Sequence, residues 1–178
     1  MARKSIPKPD PTTPVEYPAI VAIDTREQLP FAFADLRADA DQDNRPLVIH
    51  TVRATLKQGD YSLVGHEHAI ALERKSREDL YGTIGGGERR ERFVRELERL
   101  AGYLVAGVIV EASWHEILTE PPVHTQVKPK TIYRSILAWS QRYPRIHWWM
   151  MGTRRLAEVT TFRILDRYYR DYIRERSK

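Results

Sequence analysis

Short apolar runs alternate along this chain with longer stretches of helical period. Runs at Ala19 to Ile23, Leu47 to Leu56, Ala69 to Lys75, Gly107 to Glu111 and Ile146 to Met151 have the length and the β-branched content of strands. Apolar positions spaced by three and four residues predict helices at about Arg77 to Thr83, Glu88 to Tyr103, Lys130 to Arg142 and Arg154 to Glu175. Strands interleaved with helices predict an α/β sandwich. Ala34 to Pro46 is polar, acid-rich and without period, which predicts a mobile loop between the first two strands. The stretch 1–18 holds Pro7, Pro9, Pro11, Pro14 and Pro18 among polar residues and reads as an extended, disordered leader, so residues 19–178 form one domain. The last helix carries an apolar stripe from Leu156 to Ile173 that is wider than one core face requires, and part of it is expected to meet a partner.

Composition narrows the functional classes. A formal net charge of +5 understates the asymmetry, because the chain up to about residue 46 is slightly acidic and the basic excess lies in the remainder. A polyanion such as DNA suits that charge; a well-solvated basic surface is the plainer reading. The absence of cysteine excludes disulfides, thiolate metal sites and cysteine nucleophiles. No apolar run approaches a membrane span, and the start Met1-Ala2-Arg3-Lys4-Ser5 leads into prolines and charges, so the expected location is the cytoplasm, on the nucleoid in a prokaryote.

The chemistry concentrates between Asp60 and Asp79. In the strand ending Glu73-Arg74-Lys75, a two-residue side-chain period points Glu73 and Lys75 to one face, about 7 Å apart by strand rise. Asp60 follows Gly59, and a hairpin through Gly65 brings its carboxylate back beside Glu73. Two such carboxylates suit a hard divalent ion, which keeps waters and substrate phosphate oxygens in its other positions. Such an ion polarises a phosphodiester and lowers the pKa of the attacking water, while Lys75 orients that water or stabilises developing charge. A second acidic cluster, Asp24-Thr25-Arg26-Glu27, stands where the first strand runs out, and catalytic groups gather beyond the carboxyl ends of strands in α/β sheets.

In that order, Asp24-Thr25-Arg26-Glu27, Gly59-Asp60-Tyr61 and Glu73-Arg74-Lys75 with Asp79 resemble the nuclease domain of the XPF-type structure-specific endonucleases, archaeal helicase-associated homologues included. The match continues through Leu80-Tyr81-Gly82-Thr83-Ile84 and the helix from Arg92 to Leu100. The resemblance implies a restriction-endonuclease-like fold, a central mixed sheet flanked by helices. It implies a Mg²⁺-dependent DNA endonuclease, with Mn²⁺ able to substitute, cutting 3′ flaps, forks or other branched DNA in repair or recombination. It assigns Asp24, Asp60 and Glu73 to the metal and makes Arg26, Glu27, Arg74, Lys75 and Asp79 further catalytic residues. It also implies a homodimer through the C-terminal helical region, with a helicase or another DNA-binding protein as a possible partner. Two departures stand out: Glu96 occupies a position where the family has glutamine, and no residues remain for a tandem helix-hairpin-helix module. A catalytically silent DNA-binding scaffold and a stand-alone nuclease of a mobile element with little branch preference are the alternative readings.

Several residues have a plainer role available. Asp79 lies three after Ser76, as in a helix-capping box. Arg74 alternates away from Glu73 and Lys75, so it supports the site from behind or binds another acid. Gly85-Gly86-Gly87 before Glu88-Arg89-Arg90-Glu91-Arg92 is either a loop offering backbone and the arginines Arg89, Arg90 and Arg92 to phosphates, or a flexible connector. His66-Glu67-His68 lacks distant ligands at convincing spacing for zinc and reads as a solvated turn. Trp148 and Trp149 fall on opposite faces of a strand, and at most one is exposed for DNA.

Overall fold

The computed structural model describes residue 10, residues 12–38 and residues 44–174. Eight strands are present among them: β1 (Val15–Glu16), β2 (Val21–Asp24), β3 (Leu47–Val48), β4 (Thr51–Ala54), β5 (Tyr61–Leu63), β6 (Ile70–Lys75), β7 (Val105–Val110) and β8 (Ile146–Met150). Five α-helices accompany them: α1 (Arg77–Gly85), α2 (Gly87–Leu100), α3 (Trp114–Thr119), α4 (Pro129–Arg142) and α5 (Arg154–Tyr168), the last running on into a π-helical turn, Tyr169–Arg174. Six strands form one sheet in the order β4-β2-β5-β6-β7-β8. β4 runs parallel to β2, and β6, β7 and β8 are parallel to one another, while β5 is antiparallel to both its neighbours. This is the expected mixed sheet between helices.

Strand alternation decides which layer each side chain enters. On β6, Ala71 packs with Leu80, Phe93, Leu97, Ile132 and Ile136 in the layer of α1 to α4. Ile70 and Leu72 point the other way, into the core that α5 closes with Phe162 and Leu165. The strands that contribute to the α1–α4 core are β6, β7 and β8. Among the described residues β4, β2 and β5 contribute no side chain to that core, although Ala22 and Ser62 on the same face are buried, and three of the four β4 residues are exposed. The α1–α4 core thus ends at β6, and the end of β6 carries Glu73 and Lys75.

The sequence reading needs four corrections. The run Leu47 to Leu56 is two strands, because Leu47–Val48 pairs with β1 and Thr51–Ala54 with β2. The leader is ordered before Pro18: Val15–Glu16 is a strand, and Tyr17 is buried with its ring 4.9 Å from that of Phe162. The rest of the expected leader, residues 1–9 and 11, lies outside the described residues, as do residues 39–43 of the expected loop. The described part of that loop is anchored by buried Phe33 and Leu36 and by an Arg37–Pro46 bridge, since three apolar side chains of Phe31 to Leu36 fill the α5 core. Third, the glycines 85–87 are a helix junction, with Gly85 ending α1 and Gly87 opening α2. Fourth, the turn at His66 is not merely solvated, because its Nδ1 lies 2.9 Å from the Tyr168 hydroxyl. Among the described residues no helix is long and apolar enough to cross a membrane.

Gly59 shows how tightly the chain is drawn against β6. Its φ is +73°, and a Cβ there would stand 3.0 Å from the carbonyl oxygen of Leu72 and 3.1 Å from its nitrogen. Both the left-handed backbone and the backbone contact oppose any side chain. Gly59→Ala is therefore expected to lower unfolding free energy by about 1–3 kcal/mol, as strain of this kind does. Urea unfolding checks this, and an unchanged midpoint would contradict it.

Candidate active site

Backbone hydrogen bonds bring the three acidic motifs side by side. The Asp60 N–H donates to the Leu72 carbonyl at 2.8 Å, and the Asp24 N–H donates to the Asp60 carbonyl at 2.9 Å. The Asp60 carboxylate in turn accepts the Arg74 N–H at 2.7 Å, so it sits directly on β6. Lys75 Nζ lies 2.5 Å from Glu73 Oε1 and 5.0 Å from the centre of the Phe93 ring on α2. Glu73 is 5% exposed and the Lys75 side chain 15% exposed.

This crowding sets the charges. Burial, and after it the charge of Glu73, push the Asp60 carboxyl well above its ordinary range, against the Arg74 N–H and Lys75. Burial opposes the Lys75 charge, but the charge and hydrogen bond of Glu73 outweigh it and hold the ammonium above its ordinary value. Lys75 is thus kept protonated, which suits it to stabilise negative charge and not to abstract a proton. Glu96 of α2 joins the group. It is pushed up to about 7 by burial and then by Glu73, with which it also shares a hydrogen bond.

Asp24 has another task than the one expected. Its Oδ1 accepts from the Arg26 backbone N–H at 2.8 Å and from Arg26 Nε at 2.7 Å, and its Oδ2 accepts from Arg26 Nη2 at 3.1 Å and from the Leu56 N–H at 2.8 Å. Burial alone would raise its pKa, yet these hydrogen bonds bring it below the ordinary value. Four donors occupy the acceptor positions of the carboxylate, so Asp24 braces the turn after β2 and the start of the 56–60 segment. The Arg26 side chain remains 69% exposed above the site.

Behind the sheet, Arg74 binds acids on both sides. Its Nε and Nη2 donate to Glu111 at 2.7 and 3.0 Å, and its Nη1 lies 3.4 Å from both Glu27 oxygens. Glu111 also accepts from Arg154 Nη1 at 2.8 Å, and Arg154 reaches the carbonyls of Leu29 and Pro30. Glu27 accepts the Leu29 N–H at 2.7 Å as well. This chain of pairs ties the ends of β6 and β7 to the turn after β2 and to the start of α5. Glu27 and Arg74 therefore lie on the face opposite Glu73 and Lys75, where they hold the scaffold. Asp79 is exposed on the first turn of α1, where its N–H donates to the Ser76 cap at 3.1 Å. Arg89 and Arg92 are exposed, whereas Arg90 is turned inward, donating to Ser135 at 2.8 Å with its guanidinium 4.8 Å from the Trp139 ring.

Glu111, Arg154 and the inward set of Glu96 were not identified by sequence reasoning. Glu111 had a readable signal, as an acid at the carboxyl end of an apolar run. Arg154 had none, since its partners are more than 40 residues away in the chain.

The family model of the ERCC4 domain matches residues 23–160, a span that holds all of these acids. The chain belongs to the ERCC4 domain family, that of the XPF-type nuclease domains. Among solved structures, XPF from Aeropyrum pernix is similar with a TM-score of 0.61 at 19% identity, over 89% of this chain and 69% of that one. XPF from Aeropyrum pernix in complex with DNA is similar with a TM-score of 0.58 at 17% identity, over 87% of this chain and 67% of that one. At such identity the likeness concerns the fold. A search of curated proteins found no match.

Proposed function

We propose that this ERCC4 domain is a Mg²⁺-dependent DNA endonuclease that hydrolyses phosphodiester bonds at the Asp60–Glu73–Lys75 site, with Mn²⁺ able to substitute. One observation carries the reading: at the carboxyl end of β6 the Asp60 carboxylate accepts the Arg74 N–H at 2.7 Å, and the flanking Glu73 and protonated Lys75 are joined at 2.5 Å. The donor set fits a hard cation. Asp60 and Glu73 offer oxygen donors of the kind that hold Mg²⁺ through one or two carboxylates, and the repulsion that raises Asp60 is what a cation relieves. Among the described residues no group of three acidic or histidine side chains that could hold a metal ion is present.

A bound divalent ion supplies polarisation of the phosphoryl oxygen and a more acidic water. The chain's own residues do the rest. Lys75 presents a fixed positive charge where negative charge grows on the phosphoryl oxygens, and Glu73 fixes the lysine. Arg26, anchored on Asp24 yet largely exposed, contacts a phosphate of the bound strand. Glu27, Arg74 and Glu111 keep β6 in register behind the site.

The resemblance favours branched DNA and a homodimer. An apolar hollow of about 470 Å³ between β8 and α5, lined by Trp149, Ile164, Tyr168 and Tyr172 among others, supports a contact there. Labelled 3′-flap, fork, four-way junction and plain duplex DNA, each with Mg²⁺ or with EDTA, test the reading. Cutting of flap or fork above duplex, lost in EDTA, is the expected outcome. Equal cutting of all substrates would favour a stand-alone nuclease with little branch preference, and metal-indifferent binding without cutting would favour a scaffold.

A further inference from the structure

α2 carries five arginines, and the structure gives them different work. Arg90 is spent on Ser135 and Trp139, and Arg95 lies within 4.0 Å of Glu91 on the outer face. Arg92 and Arg99 are exposed and make no ion pair or hydrogen bond through their side chains among the described residues. At 100° per residue, Arg92, Glu96 and Arg99 form one strip (i, i+4, i+7) beside the buried Phe93, Leu97 and Leu100. Phe93 places that strip, since its ring lies 5.0 Å from Lys75 Nζ in the acid site and Arg92 is its neighbour on the helix. The charge of Arg99 reaches Glu96, and the charge of Glu96 reaches Arg26 on the turn after β2. Arg92 and Arg99 thus stand on the helix whose Phe93 ring packs against Lys75 in the acid site.

We propose that Arg99, with Arg92, forms a phosphate track along α2 that holds the DNA strand on either side of the scissile phosphate. The proposal rests on the nuclease reading and adds to it a residue that sequence reasoning did not select. Seven helical residues separate the two arginines by about 10.5 Å along the axis. That separation lets the two guanidiniums meet different phosphates of one strand. The partner is the sugar-phosphate backbone, because two free guanidiniums flanking an acidic centre read charge and spacing and no base edge.

The test is fluorescence anisotropy of labelled DNA with the full chain in EDTA, across a salt series, for the wild type, Arg99→Ala and Arg145→Ala. Arg145 is exposed just before β8, at the end of the parallel strands opposite the site, so it loses the same charge elsewhere. Arg99→Ala is expected to weaken binding about fivefold at moderate salt and to reduce the salt slope by about one, as loss of one phosphate contact does. Arg145→Ala is expected to leave the slope unchanged. Equal effects of the two variants, or none from Arg99→Ala while the wild type binds, would overturn the track alone. Absence of salt-dependent binding by the wild type would overturn the nuclease reading with it.

Discussion

Replacing Lys75 by methionine is expected to lower the DNA cleavage rate on the order of 10²–10³, the loss that follows removal of one preorganised charge at a reacting centre. Methionine keeps the chain that packs on Phe93 while removing the ammonium. DNA affinity should hardly change, because the Lys75 side chain is only 15% exposed and the accessible phosphate contacts lie elsewhere. The fall should therefore appear in kcat and not in binding. Single-turnover cleavage and anisotropy on the same preparation separate the two. A variant that cuts at the wild-type rate would show that Lys75 is merely the partner that lets Glu73 be buried.

Asp60→Asn should cost at least as much. Loss of the carboxylate takes away several kcal/mol of metal-assisted charge stabilisation, and ~3–4 kcal/mol is about 10²–10³ in rate. Its effect on the fold should run the other way. Asp60 is partly buried near Glu73, and both desolvation and that charge oppose its ionisation, so a neutral amide of the same shape escapes the cost. The asparagine keeps an oxygen for the Arg74 N–H at the same place. Urea unfolding in EDTA should give a midpoint equal to or above that of the wild type. Lost activity with unimpaired stability is the pattern of a site strained for function.

Much of this was legible in the sequence because the decisive geometry is local. Glu73 and Lys75 share a face through the two-residue period of a strand, and Asp60 returns to them through a short hairpin whose turn glycine, Gly65, has φ +80°. The α/β layering was legible from the same periodicities. The three-residue strand Tyr61–Leu63 was not read as a strand, because a hairpin arm this short has no alternation to detect. The six-residue α3 was also missed, although its Ser113–Glu116 capping box was a readable mark.

What stayed hidden depends on pairings between distant segments. The sequence places Asp24 near the metal, whereas the structure shows its four acceptor positions taken by Arg26 and Leu56, and Leu56 comes from beyond another strand. Arg74 was expected to face away, and it does, but Glu111 and Arg154 as its company follow only from β7 lying beside β6 and α5 starting nearby. Tyr17 looks like part of a polar leader until Phe162 and Tyr169 are seen around it.

The most direct measurement is cleavage of one labelled fork by the wild type and Asp60→Asn, each with Mg²⁺ and with EDTA, at matched DNA occupancy. The expected result is cutting by the wild type in Mg²⁺ alone, with Asp60→Asn bound to the fork but inactive. Cutting by Asp60→Asn at the wild-type rate, or no cutting by a wild type that binds the fork in Mg²⁺, would contradict the account.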